Sequence, residues 1–228
     1  MIISINQPAY LPWLGYFNRI AKSDIHIVLD HVQFEKNSVT NRNKILLNKE
    51  PLCLTIPVLT KGKFENLSID SLEVDQKVKW QKKHFASISQ AYSKSLFWNE
   101  IHKELESFYH LNVKNLNSFL SLQMMFFTKY LGVKTPVYFS KDCKFKEKKS
   151  DLVLEICQKF KATTYLSGPF GRDYLELNKF SDLGINVIFE DYQHPEYPQK
   201  SDRFYPYLST LDLMVNCGKN SLKVLENV

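Results

Sequence analysis

Two histidines and an aspartate are the groups best suited to moving a proton in this chain. His194 lies in DYQHPEYPQKS, a polar and aromatic stretch held by two prolines, where an imidazole could act as a general base near neutral pH. His84 lies among lysines and aromatics in WQKKHFASISQAY; its neighbours alone favour a structural hydrogen bond. Asp30 closes the apolar run DIHIVLD and could assist either histidine. His26, His31, His102 and His110 lack ligand spacing, carboxylates do not cluster, and Cys53, Cys143, Cys157 and Cys217 form no C-x-x-C pair. The sequence therefore predicts no metal site and no cofactor. It also lacks a G-x-S-x-G elbow and a cysteine set beside histidine and glycine. Direct transfer by positioning and general-base catalysis is then the simplest mechanism.

Three polar or aromatic clusters could bind the reactants. In INQPAYLPWLGYF, Gln7 leads into a loop stiffened by Pro8 and Pro12. Tyr10 and Trp13 offer flat faces for a sugar or base ring, or else plug the end of a sheet. In DHVQFEKNSVTNRNK, Gln33, Lys36, Asn41, Arg42 and Asn43 combine a guanidinium fork with amides, which suits phosphate or carboxylate; a solvated loop is the plain alternative. In LSGPFGRDYL, Gly168 and Gly171 precede a helix whose free N–H groups could hold an anion. The spacing is neither G-x-G-x-x-G nor a P-loop, and a simple turn accounts for it equally well.

The elements that must place these clusters alternate along the chain. Residues 2–6 read as a buried strand, about Leu14 to Lys22 as a helix and residues 24–30 as a second strand, the pattern of a parallel βαβ unit. Residues 51–58 and 67–74 read as further strands. Helical spacing follows through VKWQKKHFASISQAYSKS, WNEIHKELESFYH and VKNLNSFLSLQMMFFTKYLG, the last closed by Gly132. TPVYFS, TTYLS and INVIFE read as strands. KSDLVLEICQKF and RDYLELNKFSDLG read as helices, the former with Ser150 as its N-cap. The expected class is α/β, a mixed, largely parallel sheet flanked by helices. We expect a single domain over 1–228 with a helical insertion or subdomain at about 76–131. In such sheets ligands bind beyond the carboxyl ends of strands, and four of these strands run into the clusters above.

With 228 residues, 44% hydrophobic and 24% charged, the chain can bury a core unaided. The net charge of +6 comes with lysine groups at 77–83 and 141–149 but with no arginine stripe or base-stacking motif. Sequence-specific DNA binding is not expected. Neither an export segment nor a membrane span is evident, so reduced thiols and a cytoplasmic location are expected.

Over essentially its whole length the chain resembles the WbqC-like protein family. The resemblance is carried by INQPAYLPWLGYFNRIAKSDIHIVLDHVQF, NRNKI, LTIPV, WQKKH, AYSKSLFW, YLSGPFGRDYL, HPEYPQ and LSTLDLMVNCG. It implies an enzyme of bacterial surface-polysaccharide (O-antigen) biosynthesis that transfers glycine or another acyl or aminoacyl group to a nucleotide-linked amino sugar. The implied partners are that sugar and an activated donor, whether a carrier protein, aminoacyl-tRNA or CoA. The family pattern falls on Gln7, Pro8, Tyr10, Pro12, Trp13, Gly15 and Tyr16, then on Asp30, Gln33, Asn41, Arg42, Asn43, His84 and Tyr92. Later in the chain it falls on Ser167, Gly168, Gly171, Tyr174, His194, Pro195, Tyr197, Gln199, Ser209, Asp212 and Asn216. It raises His84 as a possible base beside His194. One departure is KKSDLVLEIC, where relatives place an arginine near the helix start and this chain has Lys148 and Lys149.

Two other readings stand beside this one. The opening strand, loop, helix and strand are similar to nucleotidylyltransferase-like folds, which act on sugar phosphates, but the paired histidines of that class are missing: Gly15 is followed by Tyr16. A non-catalytic nucleotide-sugar-binding partner is the third.

Overall fold

A computed structural model of the protein describes residues 1–60 and 67–227. Its centre is a five-stranded parallel sheet in the order β5-β2-β1-β6-β7. The strands are β1 (Ile2–Asn6), β2 (Ile25–Val28), β5 (Val137–Phe139), β6 (Thr164–Ser167) and β7 (Asn186–Phe189). Ile3 lies beside both Ile25 of β2 and Tyr165 of β6. The alternation of β1 and β2 explains why both faces are covered. Ile3, Ile5 and Ile27 point to one side, into a core with Leu152, Ile156 and Phe180. Ser4 and His26 point to the other, where the serine hydroxyl meets His26 Nδ1 at 2.8 Å. Burial drives the His26 pKa down to about 3, so this imidazole stays neutral beneath the sheet.

Helix α1 (Leu14–Ala21) connects β1 to β2, and α5 (Lys149–Lys159) and α6 (Leu177–Asp182) lie around β6. Helices α2 (Trp80–Tyr92), α3 (Trp98–Tyr109) and α4 (Leu116–Leu131) come between the hairpin described below and β5. Their apolar sides, with the proline loop and α7 (Thr210–Cys217), form the larger core. The Asn115 side chain caps α4 by accepting from the Ser118 N–H, and Gly132 ends it in the left-handed region at φ 76°. Helix α8 (Ser221–Glu226) packs on α1.

Four local expectations change. NRNKILL, read as part of a polar loop, is strand β3 (Arg42–Leu47), paired antiparallel with β4 (Glu50–Thr55) in a hairpin apart from the main sheet. Its two turn residues, Asn48 and Lys49, have φ of 52° and 67°, the signature of a type I′ turn. Residues 67–74 form no strand: isolated bridges flank a 3-10 turn at Ile69–Ser71. Ser150 lies inside α5 rather than at its cap, buried and accepting from the Glu176 N–H at 3.0 Å. The helix expected at RDYLELNKFSDLG is split into a 3-10 turn, Pro169–Asp173, and α6.

Candidate functional site

The chain leaves β1 toward β2 on one side and later returns to β6 on the other, so the strand order reverses between β1 and β6. A crevice beyond the carboxyl ends of those strands is the expected ligand position. Gln7, Ser167 and Gly168 stand there. Arg19 reaches the same edge from α1, and its guanidinium occupies the space where a Gly168 side chain would be. It pairs with Glu190 at 3.5 Å, and Lys22 joins at 3.3 Å. Arg19 was not among the residues singled out from the sequence, since a lone arginine in an apolar helix carries no motif. Gly171 is buried behind Ser167, whereas Tyr174 is exposed.

The proline loop folds inward at Tyr10 and outward at Trp13. Tyr10 is wholly buried, so it has no free face for a sugar ring; that part of the sequence reading is corrected. Its hydroxyl meets His84 Nδ1 at 2.8 Å and the Tyr109 hydroxyl at 2.9 Å. The other ring N–H of His84 is drawn to the Thr55 carbonyl, and burial lowers the pKa to about 4 despite that bond. Nδ1 is thus engaged by Tyr10, and the Thr55 carbonyl faces the ring. Leu11 follows with φ 45°, a strained value for a branched residue. Its N–H donates to Gln123 at 2.6 Å and its carbonyl accepts from the Asn43 amide.

Trp13 lies over Gly15, whose missing Cβ leaves room for the indole. It meets Tyr192 and Tyr207 at ring separations of 5.7 and 5.6 Å. His194, from the loop after β7, meets Tyr192, Tyr197, Phe204 and Tyr207 within 5.5 to 6.3 Å. His194 Nδ1 lies 3.0 Å from the Pro195 carbonyl. A carbonyl can only accept, so Nδ1 carries the hydrogen and Nε2 holds the lone pair. Nε2 is buried with no hydrogen-bond partner among the described residues. Burial lowers the pKa of this imidazole, partly offset by its bond to Pro195.

Behind the rings lies Asp212, in the first turn of α7 and completely buried. Burial raises its pKa to about 6, against the opposing pull of the Tyr197 and Tyr92 hydroxyls and the Gln199 amide. These groups face the carboxylate without closing a bond of normal geometry, and both its oxygens are unpartnered. Four residues that the resemblance implied, Tyr92 of α2 and Tyr197, Gln199 and Asp212 more than a hundred positions later, thus come together. Asn216 contributes differently, donating back to the Asp212 backbone carbonyl at 2.8 Å.

The remaining residues are elsewhere. Asp30 is buried and accepts from Asn117 (2.7 Å), Ser140 (3.0 Å) and the Lys141 N–H (2.8 Å). It ties β2 to β5 and α4, with three of its four acceptor positions filled by these donors, and none of these partners is a histidine, which corrects the expected role beside a histidine base. Asn41 exchanges bonds with Ile56 at 2.8 Å and fixes the hairpin. Arg42, at the start of β3, donates to Asn37 at 3.1 Å and Cys53 at 3.5 Å, neither an anion. Gln33 and Lys36 are exposed in the preceding loop. Of four key groups, then, Trp13 and His194 share the neighbours Tyr192 and Tyr207, while His84 lies in the interior and Arg42 on the hairpin. Among the described residues no His, Cys, Asp and Glu cluster is arranged to hold a metal, and no helix is long and apolar enough to cross a membrane.

The WbqC-like protein family is matched over residues 7–224, nearly the whole chain. A protein of Mycobacterium tuberculosis (strain ATCC 25618 / H37Rv), named Uncharacterized protein Rv1507c, is 34% identical over 221 residues, covering 95% of this chain and 94% of that protein. No solved structure matches the chain. With the family's pattern running from just past β1 into α8, this chain belongs to the WbqC-like protein family.

Proposed function

We propose that the protein is an acyl or aminoacyl transferase that acylates the amine of a nucleotide-linked amino sugar in O-antigen or other surface-polysaccharide biosynthesis. Family membership supports the setting. The observation that carries the chemistry is His194, with its Nδ1 hydrogen fixed on Pro195 and its buried Nε2 lone pair left unpartnered inside an aromatic cluster. A base for amine acylation needs that state: neutral, oriented and able to take one proton. His84 differs, since the Tyr10 hydroxyl takes its Nδ1 and the Thr55 carbonyl faces its ring.

In this reading Trp13, Tyr192 and Tyr207 hold the sugar. Arg42 and Lys36, or Arg19 at the β1/β6 crevice, hold the diphosphate. The sugar ammonium first gives one proton to solvent, and His194 Nε2 takes a second from the nitrogen as it attacks. The freed amine forms the new C–N bond to the donor carbonyl, and the bond from that carbonyl to the donor's sulfur or oxygen breaks. The leaving group takes the proton from the imidazolium. The test is to incubate the protein with a dTDP-linked amino-deoxyhexose and glycine presented as carrier-protein thioester, as aminoacyl-tRNA or as CoA thioester, and to look for the mass of the amide. An amide with one donor, lost in His194→Ala and kept in His84→Gln, is expected. No amide with any donor overturns the proposal.

A further inference from the structure

Ser209-Thr210-Leu211-Asp212 has the spacing of a helix capping box, in which the acidic fourth residue accepts from the backbone N–H of the first. Only half of that box closes. The Ser209 hydroxyl accepts from the Leu211 N–H at 3.1 Å. The Ser209 N–H instead donates to the Lys44 carbonyl of β3, at 2.9 Å. Asp212 is thereby released from the role its position would give it, and its two carboxylate oxygens are buried without partners among the described residues.

The groups facing this carboxylate are the Tyr92 hydroxyl from α2 and Tyr197 with Gln199 from the loop before α7; the Cys217 thiol, further along α7, also feels its charge. None is a cation. A carboxylate removed from water with neither countercharge nor a full set of donors is costly to keep, and strongly displaced titratable groups in such settings gather at functional sites. The surroundings indicate the missing partner. Tyr197 is stacked on His194, and the rings of Tyr192, Phe204, Tyr207 and Trp13 continue outward from there. One carboxylate, two phenols and an amide inside a frame of ring faces suit an organic ammonium better than a metal ion.

A depression adjoins these residues. The loop before α7 encloses a depression of about 380 Å³, lined by Glu196 to Gln199 and by Ser201 to Phe204. Tyr197 and Gln199 belong both to this depression and to the surroundings of Asp212, so they form the partition between the two. Gln199 is held in place by the Tyr205 backbone, which it meets at 3.0 and 2.8 Å.

We propose that Asp212 is the recognition group for a primary ammonium, which enters from the depression past Tyr197 and Gln199 and pairs with the carboxylate inside the aromatic frame. The inference rests on the amine-acylation reading, in which two reactants carry such a group: the amino sugar, and an aminoacyl donor with a free α-amine.

The test is calorimetric titration of the wild-type protein, Asp212→Asn and Asp212→Glu, with fold checked by circular dichroism. Four probes are used: a dTDP-linked amino-deoxyhexose, the same sugar nucleotide with a hydroxyl in place of the amine, glycinamide, and acetamide as its neutral counterpart. The amine-bearing member of one pair is expected to bind the wild type at least about tenfold tighter than its counterpart. Asp212→Asn should erase that ratio and Asp212→Glu should keep part of it. The pair that shows the preference identifies the source of the ammonium. A preference in neither pair overturns the inference whatever the folding of the variants, and so does one that survives in folded Asp212→Asn. Nucleotide sugars that bind without regard to the amine, with no glycinamide preference beside them, overturn this inference and leave the transferase reading standing. A glycinamide preference without any nucleotide-sugar binding does the reverse.

Discussion

Replacing Asp212 by Asn should make the protein more stable, and by an amount that depends on pH in a defined way. Burial raises the pKa of this carboxyl from the ordinary 3.8 to about 6. A difference of about two pH units corresponds to about 3 kcal/mol. The folded protein takes up this proton at higher pH than the unfolded chain does. Between about pH 4 and pH 6 the folded state is therefore the more protonated, and stability falls as pH rises through that window. The full cost stands above it. Asn carries no such cost, so the variant should gain up to about 3 kcal/mol near pH 7.5 and about half of that near pH 5. Urea unfolding followed by tryptophan fluorescence at both pH values measures the difference, and acid effects from other groups cancel between the two proteins. An equal gain at the two pH values, or a loss near pH 7.5, would refute the assignment of Asp212 as a buried, uncompensated charge. A gain in stability coupled to a loss of ammonium binding is the trade expected of a binding residue.

Three further outcomes are expected. His84→Ala leaves the Tyr10 hydroxyl without its acceptor in the interior and should cost about 1–3 kcal/mol in urea unfolding. Because burial holds His84 near pKa 4, its contribution in the wild type is lost progressively as pH falls from about 6.5 toward 4; the conservative His84→Gln should flatten that slope. Asp30→Ala removes an acceptor from three donors and should lower stability by about 3 kcal/mol, with turnover per folded molecule unchanged; a selective loss of turnover would return Asp30 to the chemistry. Gly15→Ala puts a methyl group where the Trp13 indole lies and should weaken nucleotide-sugar binding at least about tenfold while shifting the melting temperature little; unchanged affinity would remove Trp13 from the site.

The parallel sheet was legible because its strands are short apolar runs, the central ones covered on both faces, and such runs carry their own signal. Strand β3 was not. It opens on Arg42, Asn43 and Lys44, and its turn uses Asn48-Lys49 where Asn-Gly would have announced a hairpin. Residues 67–74 alternate like a strand, yet isolated bridges and a 3-10 turn take up their backbone groups. At the site, the family pattern named Tyr92, Tyr197, Gln199 and Asp212 without saying that they meet. No local feature distinguishes Asp212 from an ordinary capping residue, because what sets it apart is a bond from Ser209 to Lys44, across 165 positions of sequence. Tyr192, Phe204 and Tyr207 were passed over for a related reason: aromatics in a loop reveal a shared cluster only once the loop is folded.

The buried line of contacts from Tyr109 through Tyr10 and His84 to Thr55 has a direction. Thr55 offers a carbonyl, which can only accept, so each proton along the line points toward β4. Turning it round would require two hydroxyls and an imidazole to flip together, with no partner waiting at the far end. A helix, a loop, a second helix and a hairpin strand are thus hung on one polarised thread. The tryptophan three residues past Tyr10 is held at the sheet's rim by groups that need never touch a ligand.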